Sequence, residues 1–476
     1  MNKILIRRII KALKMPKKIL LIRLISIIHP RIDRYLIPLR YKMSENQLLR
    51  ELKSNSLDKL WINLSQMEYP AISDNLDLNR FSKLNNKELN VDNLIKSISS
   101  KTENALNHKV DLLGSGLTYL GDKIDWSKDF KTGIKWENKY FLDINYSTPN
   151  NPSDVKVPWE LSRMQWLIPV GQMYVITKKE IYAEKVKNLL IDWIKDNPYG
   201  NSVNWTCTME VALRIVTWTW FFMVFNKSIA WSDKKFRFIF LKTLYLHVEF
   251  TEKYIETSDI NGNHFTADAA GLVFGGLFFT YGKAAKRWHD RGWKMLEEEI
   301  SKQITIEGID FEGSIPYHRL VTELFLLPAI YRIKRGYKLS MEFSNKLIKM
   351  ANYISHYSKP NRLAPVIGDA DDARTLPFGE QPINNHLYLA SLIYLTFNMN
   401  HKIEIRNDTY GELAWYFDYK ILTSINVKET IYSSTSFPIS GYYIMRNNND
   451  YVFIDCANVG HSGRGGHGHN DCLSFE

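Results

Sequence analysis

The segment 460–471, near the C-terminal end of the sequence, is the richest in side chains that can carry chemistry. It contains three histidines, one arginine and one aspartate among five glycines, and glycine lets the backbone approach a ligand closely. His467 and His469 lie two residues apart, so in an extended segment both imidazoles point to the same side. They predict either a metal site, which would need further ligands, or a histidine that exchanges protons. A flexible glycine-rich loop with incidental histidines is the alternative.

A second cluster, Asn-Gly-Asn-His-Phe at residues 261–265, opens a long apolar run with helical periodicity. Asn263 is well suited to cap the N-terminus of that helix, because its side chain can accept a hydrogen bond from the first turn. In the alternative interpretation, the Asn263 amide and the His264 imidazole bind a carboxylate there, since helix N-termini favour anions. The sequence alone leaves both interpretations open.

Two acidic segments complete the set of candidate clusters. Residues 307–318 combine acids and glycines with Tyr317 and His318, and residues 368–374 read Gly-Asp-Ala-Asp-Asp-Ala-Arg. The second segment is typical of a loop that orients basic side chains or binds a cation, or of an ordinary solvated loop. A glycoside hydrolase would need two carboxylates flanking the scissile bond. Four side chains could supply them: Asp310, Glu312, Asp371 and Asp372.

The elements that must position these clusters are mainly helical. Eight stretches between residues 157 and 355 place apolar residues near the helical period of 3.6, with loops between them. Several are apolar on more than one face, as expected when helices form an inner and an outer layer. We therefore predict a mainly α fold, an (α/α) toroid of antiparallel helix pairs, with an open helical solenoid as the alternative.

The pattern changes after about residue 420. Residues 441–446 and 451–457 are rich in β-forming side chains around a polar turn, which predicts a β-hairpin. Two or three strands do not make a stable sheet alone, so we expect an incomplete β-domain or strands that pair with the helical part. The predicted domains are a basic segment (1–42), an irregular helical cap (43–156), the toroid (157–425) and the beginning of a β-domain (426–476).

The net charge of +11 is located in the first 42 residues, which contain twelve basic residues and one acidic residue, Asp33. The rest of the chain is neutral, so no nucleic-acid partner is expected. Ile and Leu alternate there with Lys and Arg at helical spacing, which predicts peripheral membrane contact or a helix packed on the main domain. No signal peptide or membrane span is recognisable, which favours a cytoplasmic protein or one peripheral at the inner membrane, with a periplasmic location as the alternative.

The composition is that of a soluble globular protein, with 45% hydrophobic and 24% charged residues, and it excludes a disordered or collagen-like chain. The aromatic content of 13% fits a carbohydrate-binding cleft or an aromatic core. The three cysteines are too few for a disulfide framework and are expected to be reduced, buried thiols: Cys207, Cys456 and Cys472.

In their order along the chain, these clusters resemble the heparinase II/III-like and alginate lyase superfamily of polysaccharide lyases. Each motif is weak alone, but the shared order is specific. The resemblance implies an (α/α) toroid followed by antiparallel β-sandwich domains, with the active site at their junction, and β-elimination of an anionic, uronic-acid-containing polysaccharide. The motifs are MEVALR at 209–214, NGNHF at 261–265, FEGSIPYH at 311–318, GDADDAR at 368–374 and GGHGHNDCLSFE at 465–476.

The same resemblance implies roles for individual residues. Asn263, assisted by His264, would neutralise the substrate carboxylate, while Tyr317 and His467 would exchange protons with the substrate. Four further residues are expected to contact the polysaccharide: Glu210, Arg214, His318 and Arg464.

His469 corresponds to a ligand of a structural zinc ion in the family. The other ligands lie beyond Glu476 in the family pattern, so the zinc site is expected to be incomplete here. The expected location inside the cell, with a basic N-terminal segment, suggests a role in the synthesis or turnover of a bacterial surface polysaccharide. A non-catalytic polysaccharide-binding protein of the same fold is the alternative.

Overall fold

A computed structural model describes the greater part of the chain. The described residues are 31–72, 91–147, 151–370, 372–399, 407–423, 433–447, 450–469 and 473–476. Most of the predicted basic segment, together with Asp371 and Cys472, therefore lies outside the described residues.

The described chain is mainly helical, as predicted. Its α-helices comprise residues 31–41, Glu45–Glu51, Leu57–Ser65, Val91–Leu106, Lys156–Arg163, Ile168–Thr177, Glu180–Asp196, Thr208–Phe225, Lys234–Lys253, Asn263–Phe279, Gly282–Gln303, Ile315–Lys334, Met341–Tyr357, Leu387–Thr396, Asn407–Leu413 and Tyr419–Thr423. A two-stranded sheet pairs Lys109–Val110 with Thr118–Tyr119, and a four-stranded antiparallel sheet contains Thr435–Phe437, Tyr442–Asn447, Asp450–Asp455 and Ser474–Phe475.

The helices form two layers. The inner helices are buried almost all round; in Asn263–Phe279, for example, every residue except His264 is buried. The helices that follow them in sequence are amphipathic and turn one face to solvent, as in Gly282–Gln303. This alternation of inner and outer helices confirms the predicted toroid of antiparallel pairs. The inner helices are Ile168–Thr177, Thr208–Phe225, Asn263–Phe279, Ile315–Lys334 and Leu387–Thr396.

Glycines allow the closest inner–outer pair to form. A Cβ on Gly276 of the inner helix would lie 2.4 Å from the backbone nitrogen of His289 on the outer helix. A Cβ on Gly292 of the outer helix would lie 2.7 Å from the carbonyl oxygen of Ala269 on the inner helix. Because both positions lack a side chain, the backbones of the two helices lie in direct contact.

The array of helices closes on itself. Val91–Leu106 packs against Ile168–Thr177 at the start of the array. At its end, Leu94 lies beside Gly411, and the Ser97 hydroxyl donates a hydrogen bond to Glu380. Helices from both ends of the array thus meet through Val91–Leu106, so the ring includes a helix of the segment 43–156.

One predicted helix is divided in two. The sequence predicts a single helix over residues 158–176, but Met164 adopts a left-handed φ of 60° and separates Lys156–Arg163 from Ile168–Thr177.

Thr208–Phe225 is long and apolar enough to cross a membrane, yet 94% of it is buried inside the protein. Its composition is therefore explained by its place in the inner layer.

The predicted β-hairpin is confirmed. Tyr442–Asn447 and Asp450–Asp455 pair antiparallel with Tyr442 opposite Asp455. The sheet packs on the outer helix Met341–Tyr357, where the ring of Tyr353 lies 5.0 Å from that of Phe437. This contact supplies the apolar partner that so small a sheet needs.

Candidate active site

The candidate residues gather at one end of the ring. Each outer helix returns the chain, so the inner helices Thr208–Phe225, Asn263–Phe279 and Ile315–Lys334 all begin at that end. The glycine-rich segment 460–469 lies against it: a Cβ on Gly460 or Gly468 would fall 2.1 or 2.9 Å from the carbonyl oxygen of Glu312. The positive ends of three helices therefore converge where an anionic ligand would be favoured.

Tyr317 and His467 are in direct contact. Their ring centroids lie 3.7 Å apart with planes inclined by 16°, although 150 residues separate them in sequence. Ser314 caps the helix that carries Tyr317, because its Oγ accepts a hydrogen bond of 3.3 Å from the Tyr317 backbone nitrogen. Tyr317 is buried, with 7% exposure, and the His467 side chain is 24% exposed, so the stacked pair is accessible mainly through the imidazole.

Asp369 orients the imidazole of His467. Its Oδ2 lies 3.0 Å from His467 Nδ1, its Oδ1 contacts His469 Nε2, and its backbone nitrogen donates to the His467 carbonyl at 2.8 Å. Burial opposes ionisation of Asp369, but the hydrogen bonds of the two histidines hold its pKa below the ordinary value. The ionised carboxylate can only accept, so Nδ1 carries the His467 proton and Nε2 is the acceptor nitrogen of the neutral ring.

Gly368 makes this approach of the two segments feasible. Its φ is +72°, and a Cβ there would lie 2.6 Å from the His467 carbonyl oxygen and 2.7 Å from Ser314 Cβ. A side chain at position 368 would push the acidic loop away from the histidines.

The amide of Asn263 is fixed by a buried carboxylate. Asn263 Nδ2 donates to Glu312 Oε2 at 2.9 Å, and the Asn263 backbone nitrogen donates to Glu312 Oε1 at 2.7 Å. Nδ2 also lies 3.4 Å from His467 Nε2. The N-cap interpretation of Asn263 is wrong: the cap position is Gly262, and Asn263 is the first helical residue.

Glu312 is the residue whose role the sequence did not reveal. It is completely buried, and a Cβ on Gly262 would lie 2.3 Å from its Oε1, so the Asn-Gly-Asn motif leaves room for the carboxylate. Glu312 and Asp310, which is 3% exposed, do not face a ligand as the carboxylates of a hydrolase would. Asp372 is exposed, and Asp371 lies outside the described residues.

His264 points away from the Asn263 amide, toward a second cluster. Its Nδ1 lies 2.5 Å from Glu256 Oε2 and 3.8 Å from Cys207 Sγ, and its side chain is 47% exposed. Burial lowers the pKa of His264, but the hydrogen bond and charge of Glu256 outweigh this effect and raise it above the ordinary value. Burial, with the charges of nearby carboxylates, raises the pKa of the Cys207 thiol well above its usual range.

Cys207, Glu256 and His264 could hold a metal ion, because their ligand atoms all lie within 4.8 Å of one another. A thiolate, an imidazole and a carboxylate form a donor set that zinc accepts. Metal binding would first have to release two protons: the one shared by His264 and Glu256, and the one on the Cys207 thiol.

The expectation of buried thiols holds for Cys207 but is wrong for Cys456, which is exposed.

The zinc ligand predicted at His469 has a different neighbourhood. Its Nε2 contacts Asp369, and its side chain is 52% exposed. Within the described ranges this gives two donors, fewer than the three or more that a zinc site uses. Zinc at His469 therefore stays a prediction.

The prediction that Arg214 contacts substrate is wrong. Its guanidinium is completely buried, donates to the Asn204 carbonyl at 2.5 Å, and lies 4.9 and 5.6 Å from the ring centroids of Trp193 and Trp205. Burial lowers the pKa of Arg214 to about 9. Its cation is stabilised by aromatic faces inside the ring rather than by a ligand.

The same correction applies to Glu210 and His318. Glu210 is 3% exposed and accepts two hydrogen bonds, of 2.6 and 2.7 Å, from Arg163. His318 is 1% exposed and packs edge-on against Tyr353 and Tyr357. Both side chains support the inner helices, and the sequence motifs that contain them gave no sign of their burial.

Arg464 is the one predicted substrate contact that lies at the surface of the cleft. Its side chain is 44% exposed and forms an ion pair with Asp259, in the loop that precedes Asn263. An anionic ligand would compete with Asp259 for this guanidinium. Substrate contact by Arg464 stays a prediction.

Comparisons with known proteins agree with this architecture. Residues 44–380 match the heparinase II/III N-terminus, and residues 431–476 match the heparinase II/III-like C-terminal domain. A heparin-sulfate lyase of Pedobacter heparinus is 27% identical over 241 residues, covering 48% of this chain and 35% of that protein. A heparin-sulfate lyase of Bacteroides thetaiotaomicron is 26% identical over 235 residues, covering 48% and 32%. The chain thus spans about a third of the length of these curated relatives.

Two solved structures share the fold. A crystal structure of heparinase III superimposes with a TM-score of 0.58 at 19% identity, over 91% of this chain and 60% of that chain. Heparan sulfate lyase HepC from Pedobacter heparinus gives a TM-score of 0.52 at 20% identity, over 88% and 58%. The fold is therefore that of toroid proteins with a C-terminal β-domain. The chain belongs to the heparinase II/III-like family, as its motifs predicted.

Proposed function

We propose that this protein is a polysaccharide lyase that cleaves a uronic-acid-containing polysaccharide by β-elimination. The observation that carries the proposal is the assembly of Tyr317, His467 and Asn263 from three separate segments at one end of the ring. A hydroxyl, an acceptor imidazole and an amide donor are the groups that such a reaction requires. The relatives named as heparin-sulfate lyases support a sulfated uronate polymer as the substrate class.

In the proposed reaction, the first difficulty is the weak acidity of the C5 proton beside a charged carboxylate. Asn263 lowers this barrier when it donates a hydrogen bond to the carboxylate, since negative charge builds up there as C5 loses its proton. The dipoles of the converging inner helices act in the same direction. Glu312 is a positioning residue, because it fixes the Asn263 amide without contacting substrate.

Two proton transfers then complete the elimination. The hydrogen bond of His467 Nδ1 to Asp369 leaves Nε2 as the acceptor, so we assign His467 as the base that takes the C5 proton. The electron pair of the C5–H bond forms the C4–C5 double bond, and the C4–O4 bond breaks. Tyr317 gives its phenolic proton to the departing O4, and one proton then returns to the phenol from solvent as His467 releases its own.

Zinc at His469 is part of the proposal only as an inference from family resemblance. His469 and Asp369 would contribute two ligands, and a bound ion would fix the glycine-rich segment near the cleft. The residues that the structure describes do not complete that site, so no step of the reaction depends on it.

The experiment that tests the proposal compares heparan sulfate with the same polymer after chemical reduction of its uronate carboxyl groups. We expect cleavage of the native polymer and none of the reduced one, since the reduced sugar has no carboxylate to stabilise the charge at C5. Equal cleavage of both polymers would contradict the elimination. Binding of the native polymer without cleavage would instead support the non-catalytic alternative.

A further inference from the structure

An exposed apolar stripe follows the helix at residues 31–41. Its four side chains are spaced as i, i+3, i+4 and i+7 and therefore lie on one side of the helix. They are Ile32, Tyr35, Leu36 and Leu39, with exposures of 48%, 74%, 47% and 65%. Large apolar side chains scattered singly on a surface are ordinary, but a contiguous stripe of four marks an interaction surface.

A second side of this helix is firmly attached to the ring. Asp33 is 1% exposed, forms an ion pair with Lys253 and accepts a hydrogen bond of 2.5 Å from the Tyr254 hydroxyl. Arg40 donates to both carboxylate oxygens of Glu249 at 2.9 and 2.6 Å. The stripe is thus presented to solvent by an anchored helix and is not the result of a loose end.

The third side of the helix is basic. Arg31 and Arg34 are exposed there, Lys42 is exposed just after the helix, and the one acid of the helix, Asp33, is turned inward. Arg34 forms an ion pair with the exposed Asp143. Residues 1–30, which lead into this helix, contain eight basic residues and no acidic residue. Among residues 31–42, the exposed charged side chains are therefore all basic.

A basic ridge on a neighbouring outer helix extends this charge. The ridge is formed by five exposed side chains of Gly282–Gln303: Lys283, Lys286, Arg287, Arg291 and Lys294. The ridge and the helix at residues 31–41 both form ion pairs with the C-terminal end of Lys234–Lys253. Arg287 of the ridge pairs with Glu252, and Asp33 of the helix pairs with Lys253. Asp290 and Glu298 are exposed acids beside the ridge, and Glu252 pairs with its two arginines, so five basic side chains lie among three acidic ones.

We propose that the stripe and its basic flanks form a docking surface for an anionic lipid bilayer. Apolar side chains would enter the boundary between headgroups and acyl chains, while the lysines and arginines bind lipid phosphates. Charge decides which partner would cover the stripe. A second copy of this chain would bring basic side chains against basic side chains, and residues 1–30 are basic as well. An anionic bilayer complements both the apolar and the basic side chains. The proposal is independent of the lyase activity.

The test is co-sedimentation of the whole chain with vesicles of phosphatidylcholine, either pure or mixed with phosphatidylglycerol. We expect binding to the mixed vesicles, weakened by added salt because exposed charges are screened. The double variant Leu36→Glu, Leu39→Glu should bind at least tenfold more weakly than the wild type. Ile181→Glu is the matched control, since Ile181 is 60% exposed on another outer helix, and it should bind as the wild type does.

Three results would overturn the proposal. They are equal binding to pure phosphatidylcholine, wild-type binding by the double variant, and a concentration-dependent dimer that the double variant abolishes. Thermal unfolding of each variant shows whether it is folded. If the double variant is not folded, Tyr35→Ser, which removes an exposed ring without adding charge, takes its place and should weaken binding in the same direction.

Discussion

The aromatic ring of Tyr317 stacks on the imidazole of His467 at 3.7 Å, with only 16° between their planes. The tyrosine belongs to an inner helix of the ring and the histidine to the glycine-rich segment after the β-hairpin, so the contact joins the two parts of the protein. Any relative movement of these parts would separate the two groups proposed to transfer protons. The proposed activity would therefore depend on the packing of the sheet on the ring.

The first prediction concerns the phenol of Tyr317. Tyr317→Phe should abolish turnover while melting temperature and polymer affinity stay near the wild-type values, because the stack with His467 needs only the ring. Steady-state kinetics and thermal unfolding measure these effects. Tyr353→Phe is a matched control, since the buried Tyr353 hydroxyl has no hydrogen-bond partner among the described residues and its loss should leave turnover intact. Comparable turnover of Tyr317→Phe and wild type would exclude the phenol as a proton donor.

The second prediction compares two substitutions of Asn263. Asn263→Ala removes one preorganised donor and should lower kcat by about 10²–10³, with a smaller effect on KM. Asn263→Asp should be worse, because it places a negative charge beside both the substrate carboxylate and Glu312, whose Oε2 lies 2.9 Å from Asn263 Nδ2. The opposite rank order in kcat would refute the neutralising role.

The third prediction tests Glu312 as a positioning residue. Glu312→Gln places an NH2 group opposite Asn263 Nδ2, so one of the two amides must turn, and kcat should fall by up to about 10²-fold with little change in KM. Gly262→Ala should act in the same direction, because its Cβ would collide with Glu312 Oε1. Glu307→Gln is the control: it lies in the same loop but accepts hydrogen bonds from the backbone near the sheet. A loss of affinity without a loss of kcat would assign Glu312 to binding instead.

The fourth prediction is a pH dependence of stability. Burial lowers the pKa of His318 from 6.5 to about 3, so the unfolded chain binds a proton below pH 6.5 that the native protein does not. His318 therefore removes stability as the pH falls, by up to about 1.4 kcal/mol per pH unit. In His318→Gln, the free energy of unfolding between pH 6.5 and 5 should fall less steeply than in the wild type, and KM should not change. Parallel curves, or a raised KM alone, would contradict the buried, structural assignment.

Periodicity predicted the elements well because helices and hairpins are local. The inner helices were recognisable from runs that are apolar on every face, and the hairpin from two β-rich runs around a polar turn. The break at Met164 was missed, since a single left-handed residue leaves no periodic signal. The closure of the ring by Val91–Leu106 was missed for a related reason, because its partners lie far away in sequence.

The sequence predicted part of the site, and the part that it did not predict has a physical explanation. Residue type and spacing indicated the clusters, and the family resemblance singled out Asn263, Tyr317 and His467, which the structure brings together. Burial is a property of the whole fold, so the sequence predicts a ligand contact for the charged side chain of Arg214, which the structure places among tryptophans. The pairing of Asn263 with Glu312 spans 49 residues, and no local pattern could have shown it.

The most direct test of the account counts double bonds and new reducing ends in the same digest of a uronate polymer. Elimination leaves a conjugated 4,5-unsaturated uronate at every cleavage point, so ultraviolet absorbance should rise in step with the reducing ends, with one double bond for each end formed. Both signals should be absent with Tyr317→Phe. Reducing ends that appear without ultraviolet absorbance would mean hydrolysis and would contradict the central proposal that this site breaks the C4–O4 bond by elimination, with the new double bond between C4 and C5.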